Sequence, residues 1–126
     1  GERMVYQHMG HLIAEWGRNL VGACGYSSVG AVVGGTYPKQ LAELRAELPT
    51  VPFLVPGYGA QGAGAEDVRP AFDPRGLGAI VNSSRAIIFA YSREPYRSRF
   101  GDQRYAEAAG AAARDMRDQI NAALGV

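Results

Sequence analysis

Apolar residues in this chain form helical stripes near its two ends and short continuous runs between them. Near the start, a spacing close to 3.6 residues connects Val5, Met9, Leu12, Trp16 and Leu20. This spacing predicts an amphipathic helix over residues 2–20, with that stripe as its packed face. A second such helix is predicted over about residues 103–124, with the apolar face Tyr105, Ala109, Ala112, Met116, Ile120 and Ala123.

Three short apolar runs lie between these helices and predict strands. They are Gly30–Val33, Phe53–Val55 and Ala79–Val81. Continuous apolar runs are typical of strands that are buried on both faces in a parallel sheet. Thr36 and Pro38 predict the start of an intervening helix, because both residue types are favoured there. The order predicts one segment of parallel β/α units over about 29–48, 52–70 and 78–124, with residues 91–102 polar and turn-like.

A glycine-rich motif follows the second run, and a serine–arginine motif follows the third. The first is Pro56-Gly57-Tyr58-Gly59-Ala60-Gln61-Gly62, and the second is Asn82-Ser83-Ser84-Arg85. Glycines let backbone N–H groups approach an anion, and both Gln61 and Arg85 carry donors for phosphate oxygens. Loops after successive late strands of a β/α barrel often bind phosphate at one face, which predicts a phosphate site here. The alternatives are a glycine turn without a ligand and an ordinary surface arginine.

Length, charge and cysteine content narrow the classes of protein. The chain has 126 residues, about half of the roughly 250 in a complete (β/α)8 barrel, and begins at Gly1 rather than Met, so we expect a piece of a longer protein. A net charge of +1 predicts no nucleic-acid partner, and no apolar run approaches the roughly 20 residues of a membrane span. The single cysteine, Cys24, indicates a semi-buried residue in a reducing, cytoplasmic compartment. No metal site is predicted, because His8 and His11 lack a third ligand.

Three segments together resemble the orotidine 5′-phosphate decarboxylase family, in particular its longer bacterial subgroup. They are Val32-Val33-Gly34-Gly35-Thr36-Tyr37-Pro38, Phe53-Leu54-Val55-Pro56-Gly57-Tyr58-Gly59-Ala60-Gln61-Gly62 and Ile80-Val81-Asn82-Ser83-Ser84-Arg85. They follow the order and separations of that family and span residues 29–91, about half of the chain. The resemblance implies an α/β fold, namely the C-terminal part, about three β/α units, of a (β/α)8 barrel with parallel strands. The strands here would be the sixth, seventh and eighth of that barrel.

The resemblance also implies roles for individual residues. Gln61 would contact the substrate phosphate and bridge toward the pyrimidine, and Arg85 would pair with the phosphate beside the backbone N–H groups of Ser84 and Arg85. The substrate loop would contain Pro56, Gly57, Gly59 and Gly62, and its stretch around residues 58–68 would close over the phosphate. The family works as a homodimer and uses neither a metal nor a cofactor.

One departure from the family is large. Its catalytic Asp-x-Lys-x-x-Asp pattern is absent here, and the single lysine, Lys39, lies at a predicted helix start. We therefore expect no catalytic residue in this chain, and we place the Lys/Asp network in an upstream barrel half.

The sequence accordingly predicts the phosphate-binding part of an enzyme of pyrimidine biosynthesis that converts orotidine 5′-phosphate to uridine 5′-phosphate and CO2. This part alone is expected to be inactive. It would pair with the missing N-terminal barrel half or with a second copy of the chain. The alternatives are another phosphate-binding barrel enzyme, such as a sugar-phosphate lyase, and a non-catalytic module that binds a phosphorylated metabolite.

Overall fold

A computed structural model describes residues 2–59 and 61–126 of the chain. Its helices are α1 (Val5–Gly17), α2 (Pro38–Glu47), α3 (Ala65–Val68), α4 (Ser84–Ile88), α5 (Tyr96–Phe100) and α6 (Tyr105–Leu124). Its strands are β1 (Ala31–Val32), β2 (Phe53–Val55) and β3 (Ala79–Val81). Short 3₁₀ turns occupy Arg18–Leu20, Arg69–Ala71, Ala90–Ser92 and Asp102–Arg104.

The three strands form one parallel sheet in the order β1-β2-β3. The register places Val32 opposite Leu54, and Leu54 opposite Ile80. The three apolar runs are therefore confirmed as strands, and their parallel β/α order is confirmed with them. Each strand is only two or three residues long, because glycine or proline follows or precedes it closely in sequence.

The hydrophobic core lies between the sheet and the helices that follow its strands. Phe53 and Val55 of β2 are buried against Leu41 and Leu48 from α2 and its C-terminal end, and against Val68 of α3. Burying each such side chain is worth about 1.5–3 kcal/mol. This layer holds the carboxyl ends of the strands, and the loops that follow them, in fixed positions.

The opposite face of the sheet is open in the described part of the chain. Val32, Leu54 and Ile80 are 71%, 41% and 72% exposed. The prediction of strands buried on both faces was wrong, because successive side chains on a strand point to opposite faces and only one face here meets helices. With Cys24, Tyr26 and Leu77, this open face lines an apolar concavity of about 530 Å³.

Helix α1 packs through a different face from the predicted one. The predicted stripe is exposed, with Trp16 at 59%, and the helix instead buries Gly10 and Gly17. A Cβ atom at Gly10 would lie 3.0 Å from a methyl carbon of Leu48, so the helix approaches its neighbour through its glycines. Tyr6 and Ile13 complete this second stripe, which is one residue out of step with the predicted one. The helix also begins at Val5 and ends at Gly17, inside the predicted bounds of 2–20.

The C-terminal region contains more helix than predicted. Residues 91–102, expected to be turn-like, include α5, whose Tyr96 and Phe100 pack with Tyr91 against Ala108 and Ala112 of α6. On α6, Ile120 is buried as its stripe predicts, whereas Tyr105 at the other end is exposed. The helix is therefore packed along most of its predicted face but not at its first turn.

Two further findings concern single features. Cys24 is exposed, so the expectation of a semi-buried cysteine was wrong; it lies in an irregular loop between Val21 and Ser27 rather than in a strand. Among residues 2–59 and 61–126, no helix is both long and apolar enough to cross a membrane.

The amino ends of the strands are held together by Arg45 of α2. Its guanidinium nitrogens donate to four backbone carbonyls, at Leu48 (3.0 Å), Ala71 (2.9 Å), Val51 (2.8 Å) and Gly78 (3.3 Å). The guanidinium carbon also lies 3.8 Å from the centre of the Phe53 ring. Because Gly78 directly precedes β3 and Val51 lies two residues before β2, this one side chain connects α2 to the entry points of two strands.

Asp73 organises the loop that leads into β3. One carboxylate oxygen accepts the backbone N–H groups of Arg75 (2.8 Å) and Leu77 (3.0 Å), and the other accepts the Tyr26 hydroxyl (2.7 Å) and the Arg75 guanidinium. The hydrogen bond from the Leu77 backbone, followed by that from Tyr26, holds the pKa of Asp73 well below its ordinary value.

Candidate functional site

A small polar cleft lies at the carboxyl edge of the sheet, where β2 and β3 end. Its volume is about 90 Å³, well below the roughly 300–1,000 Å³ of sites for drug-sized ligands. Its lining residues are Pro56, Gly57, Tyr58, Gln61, Asn82, Ser83, Ser84 and Arg85. The structure thus brings Gln61 and Arg85, from two separate loops, to one cleft of a size for a compact anionic group.

The loop after β2 is shaped by glycines. Gly57, Gly59 and Gly62 have φ of +105°, +73° and +101°, a region that other residues adopt only with strain. The Ala63 N–H donates to the Gly57 carbonyl (3.2 Å), and the Gly59 N–H donates back to the Ala63 carbonyl (2.8 Å). These bonds close the loop on itself and turn Gln61 toward the cleft.

Pro56 connects this loop to the preceding one. Its carbonyl accepts the N–H of Gly35, at 2.8 Å, just after β1. A Cβ atom at Gly35 would lie only 2.9 Å from a methyl carbon of Val68, so the chain passes close to α3 at this point. The predicted loop residues Pro56, Gly57 and Gly62 therefore act on the shape of the cleft through their backbone.

The loop after β3 presents the beginning of α4 to the cleft. The Ser83 side chain is buried and donates to the Tyr58 carbonyl (2.6 Å), so it does not cap the helix. The N–H groups of Ser84 and Arg85 lie in the first turn, where an α-helix provides no internal partner. They therefore have no acceptor within the helix and can donate to an anion.

Three polar side chains of the cleft, those of Gln61, Asn82 and Arg85, are not engaged elsewhere in the described structure. Arg85 is exposed, and within residues 2–59 and 61–126 its guanidinium makes no hydrogen bond or ion pair, nor does the Gln61 amide. The side-chain oxygen of Asn82 is buried and likewise lacks a hydrogen-bond partner among the described residues. A cleft with unengaged donors at one edge is suited to bind a negatively charged group.

Three further polar side chains lie away from the cleft. Asp67 accepts the Gly64 N–H (2.8 Å) at the start of α3, and Asp73 lies at the amino edge of the sheet. His11 lies on α1, with its Nε2 atom 3.8 Å from a carboxylate oxygen of Glu47. None of the three lines the cleft.

Two residues of the cleft received no role from the sequence. Tyr58 is buried between two loop glycines, and Asn82 carries the unpartnered oxygen. A signal for Tyr58 was present, because a large aromatic residue in an otherwise small and polar loop needs a place to bury its ring. The sequence contains no comparable signal for Asn82.

Comparison with known proteins identifies relatives. Over 94% of its length the chain is 46% identical to an orotidine 5′-phosphate decarboxylase of Rhodopirellula baltica, and it covers 39% of that protein. It is 43% identical to an orotidine 5′-phosphate decarboxylase of Clostridium perfringens, over 97% of the chain and 40% of that protein. The solved structure of Leishmania donovani OMP decarboxylase matches the whole chain with a TM-score of 0.69 at 30% identity, over 41% of that protein. No protein-family model matches the chain.

The chain is thus similar to a part of orotidine 5′-phosphate decarboxylases and spans about two fifths of the curated relatives that it matches. The resemblance drawn from the sequence is confirmed, as is the fold class, a partial (β/α)8 barrel with parallel strands. The contacts of Gln61, Ser84 and Arg85 with a phosphate stay predictions.

Proposed function

We propose that this chain is the C-terminal, phosphate-binding part of an orotidine 5′-phosphate decarboxylase, which converts orotidine 5′-phosphate to uridine 5′-phosphate and CO2. The observation that carries the proposal is the cleft that joins Gln61 and Arg85 at the carboxyl edge of the sheet. The similarity of the chain to decarboxylases over nearly its whole length supports it.

In this proposal the residues of the cleft bind and orient the substrate. The Arg85 guanidinium would make a bidentate contact with the phosphate, and the N–H groups of Ser84 and Arg85 would donate to its other oxygens. Gln61 would donate from the opposite side of the cleft. Contacts to a remote phosphate can lower the barrier at the reacting carbon, because binding energy positions the substrate for the transition state.

The chemical step would use groups outside this chain. We place the Lys/Asp network in an upstream barrel half, which would also cover the open sheet face that carries Val32, Leu54 and Ile80. The complete enzyme would act in the cytoplasm and would need no cofactor.

The direct test compares the full-length gene product with the 126-residue chain. Each is incubated with orotidine 5′-phosphate, and both CO2 release and uridine 5′-phosphate formation are measured. We expect turnover by the full-length product and none by the chain alone. A full-length product that binds the substrate without turnover would contradict the proposed activity, and turnover by the pure chain would contradict the placement of the catalytic network.

The open face of the sheet also predicts how the isolated chain assembles, and this prediction can be tested. Exposed strand edges and apolar side chains invite pairing with another chain. We expect the isolated chain to associate with an upstream half or with a second copy. Sedimentation of the chain as a cooperatively folded 13.4 kDa monomer would contradict this expectation.

A further inference from the structure

Tyr58 lies where the two loops of the cleft meet helix α6. Its ring is buried, with only 8% of the residue exposed, in a loop whose flanking residues Gly57 and Gly59 contribute no side chain. Its hydroxyl donates to the side-chain oxygen of Gln119 on α6, at 2.6 Å. Its backbone carbonyl accepts the Ser83 hydroxyl, also at 2.6 Å. Tyr58 therefore connects its own glycine-rich loop to the loop after β3 and to the last helix.

Two contacts of Tyr58, with Ser83 and with Ala63, lead toward residues of the proposed phosphate site. Ser83 lies two residues before Arg85 and immediately before α4, so its bond to Tyr58 fixes where that helix begins. Tyr58 also pairs with Ala63 in a parallel bridge, which encloses the segment that carries Gln61. Tyr58 thus connects the loop that carries Gln61 to the loop that carries Arg85.

The two loops also approach each other closely at Gly59, where a side chain would be crowded. A Cβ atom at Gly59 would lie 3.2 Å from the Ser83 hydroxyl oxygen and 3.3 Å from the Ala86 methyl carbon. The glycine therefore permits the contact, and the Tyr58–Ser83 hydrogen bond maintains it. The hydrogen bond from Tyr58 to Gln119 connects this loop–loop contact to α6, a helix of 20 residues.

We propose that Tyr58 is a positioning residue that sets the separation of Gln61 and Arg85 across the cleft by anchoring both loops to α6. This inference rests on the proposed function, because the cleft is taken to bind the substrate phosphate. It assigns a role to Tyr58, which does not itself need to touch the phosphate, and to α6, which supports Tyr58.

The hydroxyl of Tyr58 is the group to remove. Burial raises the pKa of Tyr58, so the hydroxyl remains a protonated donor throughout the neutral range. Tyr58→Phe keeps the ring and deletes this donor alone. Tyr96→Phe is a matched control, because the Tyr96 hydroxyl donates at the same distance, 2.6 Å, to Asp115 on the same helix but lies outside the cleft lining.

The experiment uses the full-length gene product and two substrates, orotidine 5′-phosphate and orotidine, which lacks the phosphate. For Tyr58→Phe we expect kcat/KM for orotidine 5′-phosphate to fall about three- to tenfold, the range of a single neutral hydrogen bond. With orotidine, measured with enzyme in excess, kcat/KM should stay within about twofold. Tyr96→Phe should leave both values within about twofold.

A second variant tests the partner on α6. Gln119→Leu removes the acceptor and should reproduce the loss seen in Tyr58→Phe, and the double variant should lose no more than either single one. An additive loss in the double variant would contradict a shared hydrogen bond and overturn the anchoring to α6.

Arg85→Ala separates this inference from the proposed function. If Arg85→Ala leaves kcat/KM for orotidine 5′-phosphate within about threefold, the phosphate assignment itself is wrong. If Arg85→Ala selectively impairs the phosphorylated substrate while Tyr58→Phe does not, only the positioning role is overturned. Equal losses by Tyr58→Phe on both substrates would also overturn it, because they would indicate general structural damage.

Discussion

Two arginines at opposite edges of the same sheet differ in how their guanidinium groups are engaged. At the amino edge, Arg45 donates to four backbone carbonyls and stacks on the Phe53 ring. At the carboxyl edge, Arg85 is exposed, and its guanidinium makes no hydrogen bond or ion pair with any residue that the structure describes. The first uses its donors to hold the fold, and the donors of the second are unengaged, as the proposed phosphate contact requires.

This difference follows the general organisation of β/α barrels. Their function lies in the loops at the carboxyl ends of the strands, whereas residues at the amino ends serve stability. The contrast between Arg45 and Arg85 therefore indicates which substitutions should affect substrate binding and which should affect folding. All variants below refer to the full-length gene product.

The largest effect is expected for Arg85→Ala. Deleting the guanidinium should lower kcat/KM for orotidine 5′-phosphate about 10²- to 10⁴-fold, or about 3–5 kcal/mol, because charge-assisted contacts to an anion are strong. The free energy of unfolding should change by less than about 0.5 kcal/mol, since the side chain is exposed. Steady-state kinetics measure the change in kcat/KM, and urea denaturation measures the change in the free energy of unfolding. A decrease in kcat/KM of less than threefold would contradict the proposed difference between Arg85 and Arg45.

Arg45→Met should show the reverse pattern. It removes the guanidinium donors from four carbonyls, of which those of Leu48 and Gly78 keep a backbone N–H, and it should lower the free energy of unfolding by about 2–4 kcal/mol, measured by urea denaturation. Arg45→Lys should recover only part of this loss, because one ammonium cannot reach the same carbonyls as a planar fork. In both variants kcat/KM of the folded protein should stay within about twofold. A catalytic defect without lost stability would show that the amino edge is not purely structural.

A smaller catalytic effect is expected for Gln61→Ala. The amide is a neutral donor, so its loss should lower kcat/KM about tenfold, which is about 1.4 kcal/mol. The decrease should be smaller than that of Arg85→Ala in the same assay. A Gln61→Ala effect equal to or larger than that of Arg85→Ala would contradict the assignment of the main phosphate contact to the arginine.

The smallest effect concerns Asp73 and depends on pH. Its pKa is lowered in the folded protein, so the ionised carboxylate stabilises the fold above its unfolded pKa, near 3.8, and this contribution is lost as the pH falls further toward the folded value. Asp73→Asn should therefore be less stable than the parent protein at pH 7. The gap between the two denaturation midpoints should narrow below about pH 4. A gap that is constant with pH would show that the charge of Asp73 is not the stabilising feature.

Some of this organisation was readable in the sequence because its signals are local. The strand at Phe53–Val55 is a continuous apolar run that ends at Pro56, and both features act within a few residues. Gln61 and Arg85 could be assigned to one site because successive parallel strands place their following loops at the same edge.

Other features were not readable because they depend on a partner distant in sequence. Two stripes on α1 differ by one residue, and only contact with Leu48 and Ser27 selects the stripe of Gly10 and Gly17. Hydrophobicity favoured the stripe that contains Trp16, because glycine carries no side chain to count. The bond from Tyr58 to Gln119 connects residues 61 positions apart, and no local pattern encodes it.

The register-matched row of Val32, Leu54 and Ile80 has a consequence for any measurement on this chain. The row exposes apolar surface on three neighbouring strands, and any molecule that covers it binds the folded form and not the unfolded one. By mass action, such binding raises the apparent melting temperature as the concentration of the covering molecule increases. Where a second copy of the chain is the covering molecule, the measured stability of the 126-residue chain depends on the protein concentration at which it was obtained.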